Sequence, residues 1–301
     1  MDELTSAGIL DPELRASYAE CKRLNALHGK TYYLATLLLP KAKRPFVHAL
    51  YGFARYADEI VDDLASHLTP AEKESELRRW SDSILKSLEN GKSDDHIGRA
   101  LIDTVNRFNI PHAHFSAFLH SMAMDLTVTE YESFEDLMKY IYGSACVIGL
   151  EMVPVLGAIS DQAYEPAEKL GTAFQLANFI RDVGEDLDRG RVYLPLNELR
   201  AHGVDRAMLE RRTLTPEIVS ALKEQIARVR TLQGQANPGI EFLSPTSRPC
   251  IQAASELYCG IVDEVENNNY EIFTKRAKTS TSKRMKVASR AYLRSVIARM
   301  G

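Results

Sequence analysis

The chain has 301 residues, 45% hydrophobic and 26% charged, with a net charge of −4 at neutral pH, enough apolar content for a large buried core. Its four cysteines (Cys21, Cys146, Cys250 and Cys259) lack metal-ligand spacing and no cleavable signal segment precedes them, so reduced thiols in a cytoplasmic protein are expected. The acidic balance disfavours nucleic-acid backbones, and the most apolar stretch, Cys146 to Ile159, is short for a membrane span and carries Glu151, which excludes an integral membrane protein.

The first informative run is Tyr51 to Asp63. Asp58 and Asp62 are four residues apart, Arg55 lies three before Asp58 and Tyr51 seven before, so on a helix all four share a face. Thr69 and Pro70 then read as N-cap and first residue of a helix with Leu77, Trp80, Ile84 and Leu88 on one side. Asn90 to Asp95 reads as a loop. Further on, Gly143, Ser144, Ala145 and Gly149 are small residues on an apolar helix, where they allow close helix approach or leave room for a long chain.

Gln175, Asn178, Asp182 and Asp186 follow at i, i+3, i+7 and i+11, beside apolar Phe174, Leu176, Ala177, Phe179 and Ile180. Arg189 and Arg191 flank Gly190 in what reads either as a mobile loop able to close over an anion or as an ordinary polar connection. Thr215 and Pro216 open another helix, with Val219, Leu222, Ile226 and Val229 along one face, and Gln235 to Pro249 reads as a loop. Residues 272–301 carry nine Lys or Arg and no acid, leaving −13 on the first 271 residues (28 basic against 41 acidic). From Lys283 to Met300 the tail reads as a helix, with Met285, Ala288, Tyr292, Val296 and Met300 on one face and Lys286, Arg290 and Arg294 on another. Such a helix docks on the body with a solvated basic face; alternatively it meets anionic lipid, at about 1 kcal/mol per basic residue near the surface. No run alternates with period two, so the chain reads as one all-α domain over residues 1–301.

The acid stripes carry the chemistry. Carboxylates four apart destabilise an exposed helix by a few tenths of a kcal/mol, and a bound cation reverses the sign. Mg²⁺ is commonly held by one or two carboxylates, waters and substrate phosphate oxygens, so two sparse acid clusters suit a divalent metal and a diphosphate better than a closed cage. A helix shedding charge into water has no need of an amide–amide–acid–acid stripe beside phenylalanines. The charge that a metal and a diphosphate call for and the apolar residues of a dry lining are adjacent here.

Leu170 to Asp186, continuing through Arg189-Gly190-Arg191-Val192-Tyr193-Leu194-Pro195, resembles the second signature of the squalene/phytoene synthase family, and Tyr51 to Asp63 resembles the first. His28 to Thr31, Met124-Asp125-Leu126 and Tyr258 to Arg276 resemble further family segments. The resemblance implies the isoprenoid synthase fold, helices around a central cavity, and head-to-head condensation of two prenyl diphosphates through a cyclopropyl diphosphate. It implies Mg²⁺, or Mn²⁺, at Asp58, Asp62, Asn178, Asp182 and Asp186, and diphosphate contacts among His28, Lys30, Arg55, Arg181, Lys275 and Arg276, with Lys275 and Arg276 interchangeable at this stage. Tyr51, Tyr140, Gln175 and Tyr258 would orient polar groups around the reacting carbons, with a core role for Tyr140 equally open.

Cys146 stands where relatives commonly have glycine, and Gly29 and Thr31 flank Lys30 where serines are frequent. The resemblance is strongest to phytoene synthases of bacteria, which join two geranylgeranyl diphosphates. A squalene or dehydrosqualene synthase using farnesyl diphosphate, with NADPH for squalene, is the alternative; a class I terpene cyclase and a non-catalytic, membrane-associated helical scaffold are the others.

Overall fold

The computed structural model describes residues 1–62 and 68–300, with the side chains of Lys30, Thr31, Asp62 and Pro70 outside that description. The helices are α1 (Glu3–Ser6), α2 (Pro12–His28), α3 (Lys30–Thr36), α4 (Arg44–Asp62), α5 (Pro70–Asn90), α6 (His96–Phe108), α7 (His112–Met124) and α8 (Phe134–Ile141). After a π-turn at Tyr142–Cys146 come α9 (Val147–Leu156), α10 (Tyr164–Asp188), α11 (Leu196–Ala201), α12 (Arg206–Glu210), α13 (Pro216–Ala236), α14 (Arg248–Cys259), α15 (Ile261–Asn267) and α16 (Thr281–Met300). Among the described residues only isolated bridges, Glu130 with Val192 and Ala158 with Leu243, interrupt this all-α architecture.

The helix starts are set by the local chemistry expected of them. Thr69 accepts from the Glu72 amide while the Glu72 carboxylate accepts from the Thr69 amide at 2.8 Å, a reciprocal cap ahead of Pro70. Thr215 caps α13 by accepting from the Ile218 amide, without a carboxylate at residue 218 to return the bond. These caps satisfy amides that a first helical turn leaves without partners.

Among the described residues three apolar clusters make the core. One joins α8, α10, α13 and α15; a second joins α2, α4, α5, α6 and α7; a third joins the end of α3 with α9, α14 and α16. The helices carrying the acid motifs, α4 and α10, make little direct contact, and a cavity lies between the elements that surround them. Gly143 places the π-turn against the Ala117 carbonyl on α7, closer than any β-carbon would permit, and Ser121 donates to the Tyr140 carbonyl at 2.9 Å. Such π-turns are frequent at functional sites, and this one borders the cavity. The sequence gives no sign of it.

Two expectations change. The apolar helix is longer than the run from Cys146 suggests: Phe134–Leu156 is long and apolar enough to cross a membrane by length and composition, although 56% of its most apolar window is buried. Glu151 on it is fully buried with neither carboxyl oxygen hydrogen-bonded, and burial raises its carboxyl well above the usual range. The C-terminal helix also docks on another face than expected. Val287, Ala291 and Ser295 are its buried residues, because these smaller side chains let α16 lie close along α14. Arg290 pairs with Glu256 and Arg294 donates to Gln252, so much of the basic face is turned to the body, while Met285, Tyr292, Leu293, Ile297 and Met300 are exposed.

Candidate active site

The cavity has a volume of about 570 Å³, within the usual range for small-molecule sites. Its polar end gathers His28, Tyr51, Arg55, Asp58, Gln175 and Asn178; its far end is apolar, with Met152, Leu156, Ala163, Gly239, Ile240 and Leu243. Ala163, Ala167, Gly171, Phe174, Gln175 and Asn178 all line it from the α10 side. From Ala163 to Asn178 that wall rises about 22 Å at helical pitch, a length suited to an extended C20 chain. A second cleft of about 460 Å³, beside Arg230, Ser255 and Asp263, adjoins it at Ile240 and contains none of the candidate metal, diphosphate or catalytic residues.

On α4, Arg55 donates to Asp58 at 2.8 Å and to Glu59 at 3.2 Å, and the His28 ring at the end of α2 lies 3.3 Å from Glu59. Gly29 makes room for Tyr51, whose phenol occupies the space a β-carbon would need. The rings of Tyr51, Tyr32, Tyr258 and Phe174 follow one another at centroid distances of 6.1, 5.1 and 5.0 Å. Burial pushes the Tyr51 hydroxyl up to about 12 and Tyr258 higher still, so both remain protonated donors. Tyr32 is the member of this series that motif reading missed. Lys30 and Asp62 lie outside the described side chains.

On α10, Asn178 shows a buried side-chain oxygen with no partner. Asp182, further along the same stripe, receives Arg181 at 2.7 and 2.5 Å and Arg276 at 2.7 and 3.0 Å. Burial acts to raise its pKa, but these two guanidiniums prevail and hold it below the usual carboxylate range. Asp186 is pushed up to about 7, first by burial and then by the charge on Asp182.

Gly184 explains how Arg276 arrives there. The Ile272 and Phe273 carbonyls cross α10 where a β-carbon on residue 184 would come within 3 Å of both. Glu271 ties down the same segment by accepting from the Phe273 and Thr274 amides at 2.9 and 3.1 Å. Lys275 turns the other way, to Asn268 at 3.2 Å, so of the two adjacent cations Arg276 is the one on the acid stripe.

Behind the site Asp125 acts as an anchor. Its carboxylate accepts from Tyr140 and Tyr193, both at 2.7 Å, and its carbonyl accepts from Arg191 at 2.7 Å. Tyr193 stacks on Phe179 with centroids 4.2 Å apart. Tyr140 therefore lines the cavity with its hydroxyl already engaged, and Arg191 is tied down rather than part of a loose closing loop. The string Met124-Asp125-Leu126 marked the place, but not the role.

These residues fit a divalent metal bound together with its substrate. Among the described residues no group of three His, Cys, Asp or Glu side chains is assembled to hold an ion alone. Asn178 offers an orphaned oxygen beside acids on the same stripe, and an ion such as Mg²⁺ completes its shell with waters and phosphate oxygens. Asp58, Asn178, Asp182 and Asp186 are the described residues that could contribute.

Residues 26–283 match the family model for squalene/phytoene synthase. A chloroplastic phytoene synthase of Narcissus pseudonarcissus is 40% identical over 94% of this chain and 68% of its own length. Phytoene synthase 2 of Solanum lycopersicum, also chloroplastic, is 38% identical over 94% of this chain and 92% of its own. Among solved structures, a ligand-bound dehydrosqualene synthase aligns over 98% of this chain and all of its own, with 26% identity and a TM-score of 0.85. A squalene synthase of Alicyclobacillus acidocaldarius aligns over 89% of this chain and all of its own, at 23% identity and 0.81.

Asp186 gives a pH-dependent prediction. Its carboxyl ionises near 7 when folded but near 3.8 when unfolded, so between those values the folded state holds more protons and stability falls as pH rises. Asp186→Asn should therefore raise the thermal midpoint of the metal-free protein at pH 8 and have little effect at pH 4.5. Melting curves in EDTA at both pH values test this; an equal shift at the two would contradict the assigned burial cost.

Proposed function

The chain belongs to the squalene/phytoene synthase family, and from that premise we propose that it is a phytoene synthase of carotenoid biosynthesis, a prenyltransferase joining two geranylgeranyl diphosphates head to head. The carrying observation is one cavity with Asp58, Arg55 and the amides Gln175 and Asn178 at its mouth, the stripe of Asp182 and Asp186 continuing along α10 from Asn178, and a long apolar wall behind. The identity to phytoene synthases, 40% and 38%, supports the C20 substrate over the C15 one.

In this reading Asp58, Asp62, Asn178, Asp182 and Asp186 hold Mg²⁺. When bound, the metal supplies the Lewis acidity that takes up charge on the departing diphosphate. His28, Lys30, Arg55, Arg181 and Arg276 bind diphosphate oxygens, while Lys275 sits at the edge of that group. The phenols of Tyr51 and Tyr258, with Gln175, orient the prenyl groups at the reacting carbons, and their aromatic faces favour a neighbouring cation. Tyr140 shapes the wall under control of Asp125. The apolar lining excludes water, which would otherwise quench the carbocation.

The likeness to dehydrosqualene and squalene synthases supports a second reading, a C30 synthase acting on farnesyl diphosphate, with NADPH required for squalene. The buried free thiols suit a reducing compartment such as the cytoplasm. Peripheral membrane contact fits a hydrocarbon product, and the exposed Tyr292, Leu293, Ile297 and Met300 of α16 support it.

Purified protein with Mg²⁺ and geranylgeranyl diphosphate, without NADPH, should give a C40 hydrocarbon and diphosphate; a C30 product formed only from farnesyl diphosphate would move the assignment to the second reading. For the membrane contact, Leu293→Glu with Ile297→Glu should reduce co-sedimentation with phosphatidylglycerol vesicles while leaving far-UV circular dichroism unchanged. Undiminished binding would remove α16 from the membrane surface.

A further inference from the structure

Asp182 has no coordination capacity to spare. A carboxylate offers about four lone-pair positions, and here two guanidiniums fill four: Arg181 through Nε and an Nη, Arg276 through Nε and an Nη. The side chain is also only 16% exposed, which leaves little of it open to solvent beside them. For Asp182 to take a metal ion, at least one guanidinium must withdraw.

The two are not equivalent. Arg181 is adjacent in sequence and only 17% exposed, whereas Arg276 comes from the segment after α15, is 40% exposed and already has a second carboxylate, Glu185, at 3.4 Å. Arg276 is the one free to move. Leaving Asp182 without another anionic partner costs it two charge-assisted hydrogen bonds. An incoming diphosphate restores them, because its oxygens accept the same planar donor pair.

On the reading that this site takes metal and diphosphate, we propose that Arg276 is an interlock. It occupies Asp182 when diphosphate is absent, and transfers to diphosphate when the substrate arrives, opening the carboxylate to the metal in the same step. Free metal ion is disfavoured on the empty enzyme, and metal and diphosphate strengthen one another's binding by a common factor. Arg55 on Asp58 places a guanidinium on the α4 acids in a similar way.

The test uses Mn²⁺ as probe, in equilibrium dialysis read by electron paramagnetic resonance, alone and with inorganic pyrophosphate. Wild-type protein should bind Mn²⁺ weakly alone and strongly with pyrophosphate. Arg276→Ala should bind Mn²⁺ alone about tenfold more tightly and show less gain from pyrophosphate. Lys278→Ala, which removes an exposed positive charge from the same segment, should match wild type. Arg276→Ala binding Mn²⁺ alone no better than wild type, or no better than Lys278→Ala, overturns the interlock while leaving the metal site in place. Absence of Mn²⁺ binding by wild type even with pyrophosphate overturns the underlying site reading and the interlock together.

Discussion

Negative charge crowded onto one face of α10 is the constraint that the surrounding structure answers. Asp182 and Asp186 stand one turn apart and are largely buried, and the field of one raises the proton affinity of the other. Without compensation this face would cost more than a marginally stable fold tolerates. Arg181 and Arg276 neutralise Asp182, and Asp186 responds by holding a proton near pH 7. On the proposed reading, the same crowding would draw divalent cations, and these in turn a diphosphate, so the arrangement that strains the empty protein would equip it for its substrate.

The backbone is shaped around that requirement. Gly184 exists at the point where residues 272 and 273 press on α10, and this contact delivers Arg276 to the acids. Asp125 gathers Tyr140, Tyr193 and Arg191 behind the same helix, so the chain leaving α10 is fixed from the other side. At the opposite end, Gly149 approaches the Ala167 backbone and Gly171 the Ala145 backbone, holding α9, the π-turn and α10 close while their neighbouring side chains line the cavity. Polar order at the mouth and small residues along the wall are two halves of one design: charge where the bond breaks, and space for a long apolar chain behind it.

What the sequence revealed was whatever depends on neighbours within a few turns. The stripes of Asp58 and of Asn178, Asp182 and Asp186, the caps at Thr69 and Thr215, and the all-α class all follow from helical periodicity and local chemistry. The choice of Arg276 over Lys275 does not, because it is made by a crossing at Gly184 some ninety residues away in sequence. The face of α16 was misjudged for a related reason. Size and apolarity favour Met285 and Tyr292, but docking selected the slimmer Val287, Ala291 and Ser295, with Arg290 and Arg294 finding partners on α14. The π-turn at Tyr142–Cys146 and the anchoring role of Asp125 likewise arise from contacts between helices.

The central claim is that α4 and α10 contribute to one metal–diphosphate site at the polar end of one cavity. Crystals grown with Mn²⁺ and pyrophosphate, examined by anomalous scattering at the manganese edge, test it directly. The account predicts manganese peaks within ligand distance of Asp58 on one side and Asp182 on the other, around a shared pyrophosphate. Manganese confined to one helix, or a pyrophosphate bound away from both, would contradict it.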